Sequence, residues 1–133
     1  MRRWLVAWGP AAAWAAFLFL VSSRATVPLD LSSGLDKVAH FCAYLVLGWL
    51  LAHGSAHVAA TPVVAVAIGS LYGALDELHQ STVPGRTAEF GDWIADALGT
   101  AAGVLLFLYV WRKRDSRVDF APGTTAEGTK HHD

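Results

Sequence analysis

Asp76-Glu77-Leu78-His79-Gln80 is followed by Val83-Pro84-Gly85-Arg86 and then by Asp92 and Asp96, all within otherwise apolar sequence. Carboxylates so placed can act as general bases, ligate hard cations or pair with an arginine. An acid near the centre of a membrane helix costs about 2.5–3.5 kcal/mol, so such groups pair inward or mark a site. Upstream, Asp36-Lys37, His40 and Tyr44 add an acid, a cation, an imidazole and a phenol.

Their spacing says what must hold them. Asp36, His40, Tyr44 and Gly48 recur every four residues; Gly69, Gly73, Glu77 and Gln80 follow at four, four and three; Asp92, Asp96, Gly99 and Gly103 at four, three and four. Steps of three and four keep residues on one side of an α-helix. In two of these helices the acids are in line with glycines spaced G-x-x-x-G, a pattern that lets backbones approach closely in lipid. The acids are therefore expected to point between helices. At 1.5 Å per residue, Ala97 to Trp111 covers about 22 Å and Phe41 to His53 about 20 Å. Both fall short of a hydrocarbon core of about 30 Å, which submerges Asp96 and His40 below the interface. Helices beginning near Asp36 and Asp92 turn their positive ends to the same place. That favours an anion there, although those two acids can equally serve as helix caps.

Composition identifies the setting as a membrane. The chain of 133 residues is 54% hydrophobic and 16% charged, with a mean hydropathy of +0.39; soluble domains carry about a quarter charged residues. A net charge of −1 gives no basic field, so no nucleic-acid partner is expected. With no zinc pattern and no Gly-rich phosphate loop, neither a cofactor nor a resident metal is expected. The lone Cys42 excludes an intrachain disulfide and is expected to pack. Four apolar segments, Trp4–Val21, Val38–His53, Val58–Leu75 and Trp93–Trp111, predict an all-α integral membrane four-helix bundle. The first, after Arg2 and Arg3, reads as a retained span rather than a signal peptide, since no A-x-A-like cleavage site follows it.

Topology follows from charge. With four spans, one side holds Arg2, Arg3, Arg112, Lys113, Arg114, Arg117 and Lys130, and the other Arg24, Lys37 and Arg86: seven and three of the ten lysines and arginines. The positive-inside rule then puts both termini in the cytoplasm, and Trp4, Trp49, Trp93 and Trp111 fall where an interfacial belt requires aromatics. Residues 1–114 form the expected membrane domain. Residues 115–133, rich in Gly and Thr, are expected to be a disordered cytoplasmic tail whose His131-His132 pair is solvated. Between the third and fourth segments, Pro84-Gly85 suits positions i+1 and i+2 of a type II turn. Such a turn is expected to fold Arg86 back into a bidentate pair with the buried acids.

Asp36-Lys37-x-x-His40-Phe41-x-x-Tyr44, Asp76-Glu77-x-x-Gln80, Pro84-Gly85-Arg86, Asp92 and Gly99-x-x-x-Gly103 together resemble the VanZ-like family, in order and in spacing, over about Asp36 to Gly103. Asp96 stands where that family often has Asn, which adds a potential charge. The resemblance implies a multi-pass protein of the bacterial cytoplasmic membrane and cell envelope. The family's namesake is associated with low-level resistance to teicoplanin, while most relatives occur in bacteria without a glycopeptide-resistance cluster.

Two functional readings compete with a structural one. In the first, an outward polar pocket binds the head group of an anionic lipid, a cell-wall precursor or a glycopeptide. Its candidate residues are Lys37, His40 and Tyr44, then Asp76, Glu77 and Gln80, then Arg86, Asp92 and Asp96. In the second, the protein is a membrane enzyme acting on a lipid-linked phosphate or ester. Glu77 or Asp92 is then the base, His40 the acid and Arg86 the charge stabiliser. A variant of this reading has Glu77, Asp92 and Asp96 hold a divalent cation. Ser81 and Thr82 lack a base partner as nucleophiles. The structural reading is a polar plug that keeps the helices in register, yet intramembrane polar contacts average only about 0.6 kcal/mol. His79 is expected to face away from the cluster, and Tyr44 to pack with its hydroxyl satisfied. A transporter, which ranks last, would have to be a homo-oligomer, because four short spans make a narrow bundle.

Overall fold

A backbone surrounded by lipid must satisfy its own N–H and C=O groups, and the α-helix does so within one segment. The computed structural model, which describes residues 2–25 and 33–118, has four helices: α1 (Arg2–Ser22), α2 (Ser33–His57), α3 (Pro62–Gln80) and α4 (Phe90–Val118). No strand occurs among the described residues. Segments Arg2–Ser22, Gly34–His57 and Phe90–Asp115 are each long and apolar enough to cross a membrane. α3, with 19 residues that include Asp76 and Glu77, falls outside that set.

The apolar pattern locates the helices but not their ends. α3 starts at Pro62, not Val58, because proline has no N–H to satisfy and suits the first helical position. Before it, the N–H groups of Val58 and Ala60 bond back to the Ser55 carbonyl oxygen at 3.1 and 3.0 Å, and Ala59 takes a positive φ of 55°. At the other extreme, α4 continues past Trp111 to Val118. The rest of the expected tail, residues 119–133 with His131 and His132, lies outside the described residues.

α2 and α4 share the most extensive interface of the bundle. A side chain at Gly99 would meet the Phe41 carbonyl oxygen, and one at Gly103 the Leu45 carbonyl oxygen. The G-x-x-x-G seam expected from the sequence is therefore a backbone-to-backbone contact. Leu47, Leu51 and Ala52 of α2, Val104 and Phe107 of α4 and Ala65 of α3 fill the core beside it. α1 is fastened across by the Trp14 Nε1–H, which donates to the Ala43 carbonyl (2.9 Å), and by the Tyr72 hydroxyl, which donates to the Ala15 carbonyl (2.6 Å). Leu5, Phe17, Ile68, Leu71, Leu98 and Leu105 are exposed outside this core, as a lipid-facing coat requires. Cys42 is exposed as well, a correction to its expected packing role.

Candidate functional site

Where α3 ends and α2 and α4 begin, the bundle encloses charge. Asp76, Glu77, Gln80, Asp92 and Asp96 are all buried, Asp96 completely. The helical faces read from spacing are responsible: Gly69, Gly73, Glu77 and Gln80 are all buried on α3, as are Asp92, Asp96, Gly99 and Gly103 on α4. Gly73 leaves room for Asp96, whose Cβ would lie 2.9 Å from a methyl group built there.

One corner of this end is a closed ion-pair network. Lys37 Nζ donates to Glu89 Oε2 at 2.8 Å and to Asp92 Oδ1 at 3.0 Å. The Lys37 hydrogen bond holds the exposed Glu89 carboxyl below its usual range. The Glu89 backbone N–H in turn donates to Glu77 Oε2 at 2.9 Å, so the entry to α4 is tied to the end of α3. Asp36 and Asp92 each stand in the first turn of their helix, where a negative charge is favoured.

Deeper in, His40 Nδ1 is paired with Asp96 Oδ1 at 2.9 Å and lies 4.0 Å from Glu77 Oε1. Asp96 Oδ2, Glu77 Oε1 and Asp76 Oδ1 are buried with no hydrogen-bond partner, as are the hydroxyls of Tyr44 and Thr100. Buried polar atoms almost always find a partner, so this concentration of orphans needs a cause.

A cavity of about 140 Å³ opens beside this centre between α1, α2, α3 and the turn after α3. Asp36, His40 and Tyr44 from α2 line it together with Asp76 and Gln80 from α3, Arg86, and Leu18, Val21 and Ser22 from α1. The turn is built as the sequence predicts: the Arg86 N–H donates to the Val83 carbonyl at 3.1 Å and Gly85 takes φ +82°, which only glycine adopts without strain. The side chain of Arg86 departs from expectation. Its Nη2 donates to Gln80 Oε1 at 2.6 Å, and Gln80 Nε2 donates to Asp76 Oδ2 at 3.3 Å. No carboxylate lies within ion-pair distance of Arg86 among the described residues. The nearer Gln80, six residues back, takes the guanidinium first and passes its polarity on to Asp76.

Of the nine candidate residues, His40, Tyr44, Asp76, Gln80 and Arg86 line the cavity. Lys37, Glu77, Asp92 and Asp96 stand outside its wall, in the ion-pair corner and the deeper centre. Three contributors escaped sequence reading. Glu89 sits in a loop with no periodicity, Ser22 comes from the first helix, and Thr100 lies between the two glycines of the seam, completely buried. His79 faces away as expected, with Nε2 2.9 Å from Ser23 Oγ and its ring stacked on Phe19. A wider groove of about 970 Å³ at the opposite end is lined by Arg2, Arg3, Trp4 and His57, with no acid among the described residues of its wall.

No curated protein and no solved structure matches the chain. The model of the VanZ/LLP1 family matches residues 4–112. That span takes in all four helices, including α1, which lies outside the motifs that carry the resemblance in the sequence. With multi-pass helices of membrane length and a family match over most of its length, the chain is a VanZ-like membrane protein and belongs to the VanZ/LLP1 family.

Proposed function

We propose that this protein spans the bacterial cytoplasmic membrane four times through residues 1–114, with both termini and the tail 115–133 in the cytoplasm. In that topology its polar pocket faces outward and binds the anionic head group of a lipid or cell-wall precursor, or a terminal group of a glycopeptide. The seven-to-three distribution of Lys and Arg supports the orientation. The length of α3 supports a fourth span: its 19 residues reach about 28 Å, close to a hydrocarbon core of about 30 Å.

The observation that carries the binding reading is Arg86. Among the described residues it is the only Lys or Arg in the cavity wall, it is half-buried, and it is held by neutral Gln80 instead of a carboxylate. A guanidinium offers five N–H donors in a plane that suits phosphate and carboxylate. Asp36 and Asp76 in the same wall disfavour a multiply charged anion. They favour a head group carrying an amine or hydroxyls beside one acidic group. The volume sets a further limit: at about 140 Å³ the cavity is below the roughly 300–1,000 Å³ of sites for drug-sized ligands. A glycopeptide of the teicoplanin class would therefore enter by one end group only. Glu77 and Asp92, the carboxylates a general base would come from, are outside the wall, so binding is proposed instead of turnover.

The test is titration of the detergent-solubilised protein with a short-chain phospholipid bearing one phosphate and an amine. Saturable binding is expected, weakened about tenfold or more by Arg86→Ala and partly restored by Arg86→Lys. Equal affinity of wild type and Arg86→Ala would overturn the reading.

A further inference from the structure

Among the described residues at this end of the bundle, four carboxylates, Asp36, Asp76, Glu77 and Asp96, have no lysine or arginine partner. Among the described residues, six acids, Asp36, Asp76, Glu77, Glu89, Asp92 and Asp96, gather here, and of Arg24, Lys37 and Arg86 only Lys37 forms ion pairs with them. Lys37 is spent on Glu89 and Asp92, and Arg86 on Gln80. Glu77 and Asp96 are left with His40 between them, and each keeps one buried oxygen without a hydrogen-bond partner. Taking an ionised group out of water without a partner is too costly to leave uncompensated.

The geometry points to a cation. We propose that His40, Glu77 and Asp96 form a three-ligand site for a divalent transition-metal ion, Zn²⁺ or Mn²⁺. His40 Nδ1 is 4.0 Å from the orphan Glu77 Oε1 and 2.9 Å from Asp96 Oδ1, and one ligand atom from each residue lies within 4.8 Å of the others. Ligand bonds of about 2.1 Å place tetrahedral donors about 3.4 Å apart, between the two observed separations. One imidazole with two carboxylates is a mixed nitrogen and oxygen set, which selects against Ca²⁺ and Mg²⁺, cations that prefer oxygen alone.

The scaffold suits the role. Each ligand is on a different helix (α2, α3 and α4), and Glu77 is braced through its second oxygen by the Glu89 backbone N–H. Asp36, His40 and Asp92 also come together. That trio is a weaker candidate, because Asp92 is already bound by Lys37 and Asp36 is only partly buried. With three protein ligands a metal keeps an open position, and His40 also lines the cavity. The site stands on the deeper centre and does not depend on Arg86.

The experiment uses full-length protein in detergent, stripped with a chelator, dialysed against Zn²⁺ or Mn²⁺ and analysed for bound metal. One equivalent should bind with a saturable rise in melting temperature, and Glu77→Gln and Asp96→Asn should each lose that equivalent. Glu89→Gln should keep it, as should the double variant His131→Ala/His132→Ala, which removes the tail's own ligands. Co²⁺ in place of the metal should give visible absorption bands in wild type that vanish in Glu77→Gln. Circular dichroism establishes that each variant is folded. Absence of a stoichiometric ion in wild type, metal retained in folded Glu77→Gln, or metal lost with the tail histidines would each overturn the proposal. Lipid binding that still depends on Arg86 would then show that the head-group reading survives the loss of this one.

Discussion

The two halves of the α2–α4 interface use one seam for opposite ends. Toward the ends of the two helices, Gly103 brings α4 onto the Leu45 backbone, and Leu47, Leu51, Val104 and Phe107 fill the space beside it. Toward their beginnings, Gly99 makes the same approach to Phe41, yet the space beside it holds Asp96, Glu77 and His40. Among the described residues beside this seam, the partnerless buried side-chain atoms are Ser55 Oγ in the apolar half, Thr100 Oγ1 between the two glycine contacts, and three carboxylate oxygens with the Tyr44 hydroxyl in the polar half. Close packing in lipid is favourable through contact and shape, and buried charge adds little to it. Stability is expected to reside in the apolar half, with the polar half adding little to it.

Gly103→Val is the strongest way to break this comparison. The added side chain would strike the Leu45 carbonyl oxygen and the Trp49 N–H, which are backbone and cannot rotate away. Overpacking a well-filled core costs about 1–3 kcal/mol where side chains can yield, and a backbone clash exceeds that range. The expected outcome is loss of the folded, monodisperse species, read by size-exclusion chromatography and thermal melting in detergent. A variant that melts with wild type would mean that the seam does not hold the bundle.

How much of this was legible in the sequence depends on whether the signal is local. The faces Asp36-His40-Tyr44, Gly73-Glu77-Gln80 and Asp92-Asp96-Gly99 were readable because three- and four-residue steps are a property of one helix. The turn at Pro84-Gly85 was readable because proline and glycine each fix a backbone angle. Which cation meets which acid was not. Lys37 is one residue along from Asp36, about 100° around the helix, and that rotation takes it to Glu89 and Asp92 and away from the cavity. Arg86 lies on a correctly placed turn, but its partner depends on how far Gln80 reaches across. Ser22 enters the wall only because α1 packs against α2 and α3, a lateral arrangement that no periodicity encodes.

Glu77→Gln sharpens the comparison from the polar side. Glutamine keeps the carbonyl oxygen that accepts the Glu89 N–H and removes a carboxylate that has no close cation, since His40 Nδ1 is 4.0 Å away. An ionised carboxylate buried without a close cation carries a desolvation cost that a neutral amide of the same shape removes. In metal-free buffer the variant should melt at the same temperature as wild type or higher. Functional sites commonly show such a trade of stability against activity. A melting temperature several degrees lower would make Glu77 a structural brace and remove the contrast between the halves.

Glu89→Gln should have the smallest effect. Glu89 is exposed, so its bond to Lys37 is weakened by water and salt, and Lys37 keeps Asp92 in the variant. The sign of the pH dependence follows from the Lys37 hydrogen bond, which holds the Glu89 carboxyl below its ordinary value of 4.5 in the folded protein. A depressed folded-state pKa contributes stability that is complete above the unfolded value and is lost as pH falls through the folded one. Wild type should therefore lose a small increment of melting temperature below about pH 4.5 that Glu89→Gln never had, and the two curves should converge in acid. Because the contribution is a surface ion pair, 1 M salt should shrink the difference at neutral pH by screening within a few ångströms. A difference that persists unchanged in acid and in high salt would show that Glu89 acts through something other than its charge, since the backbone N–H that binds Glu77 Oε2 is present in both proteins.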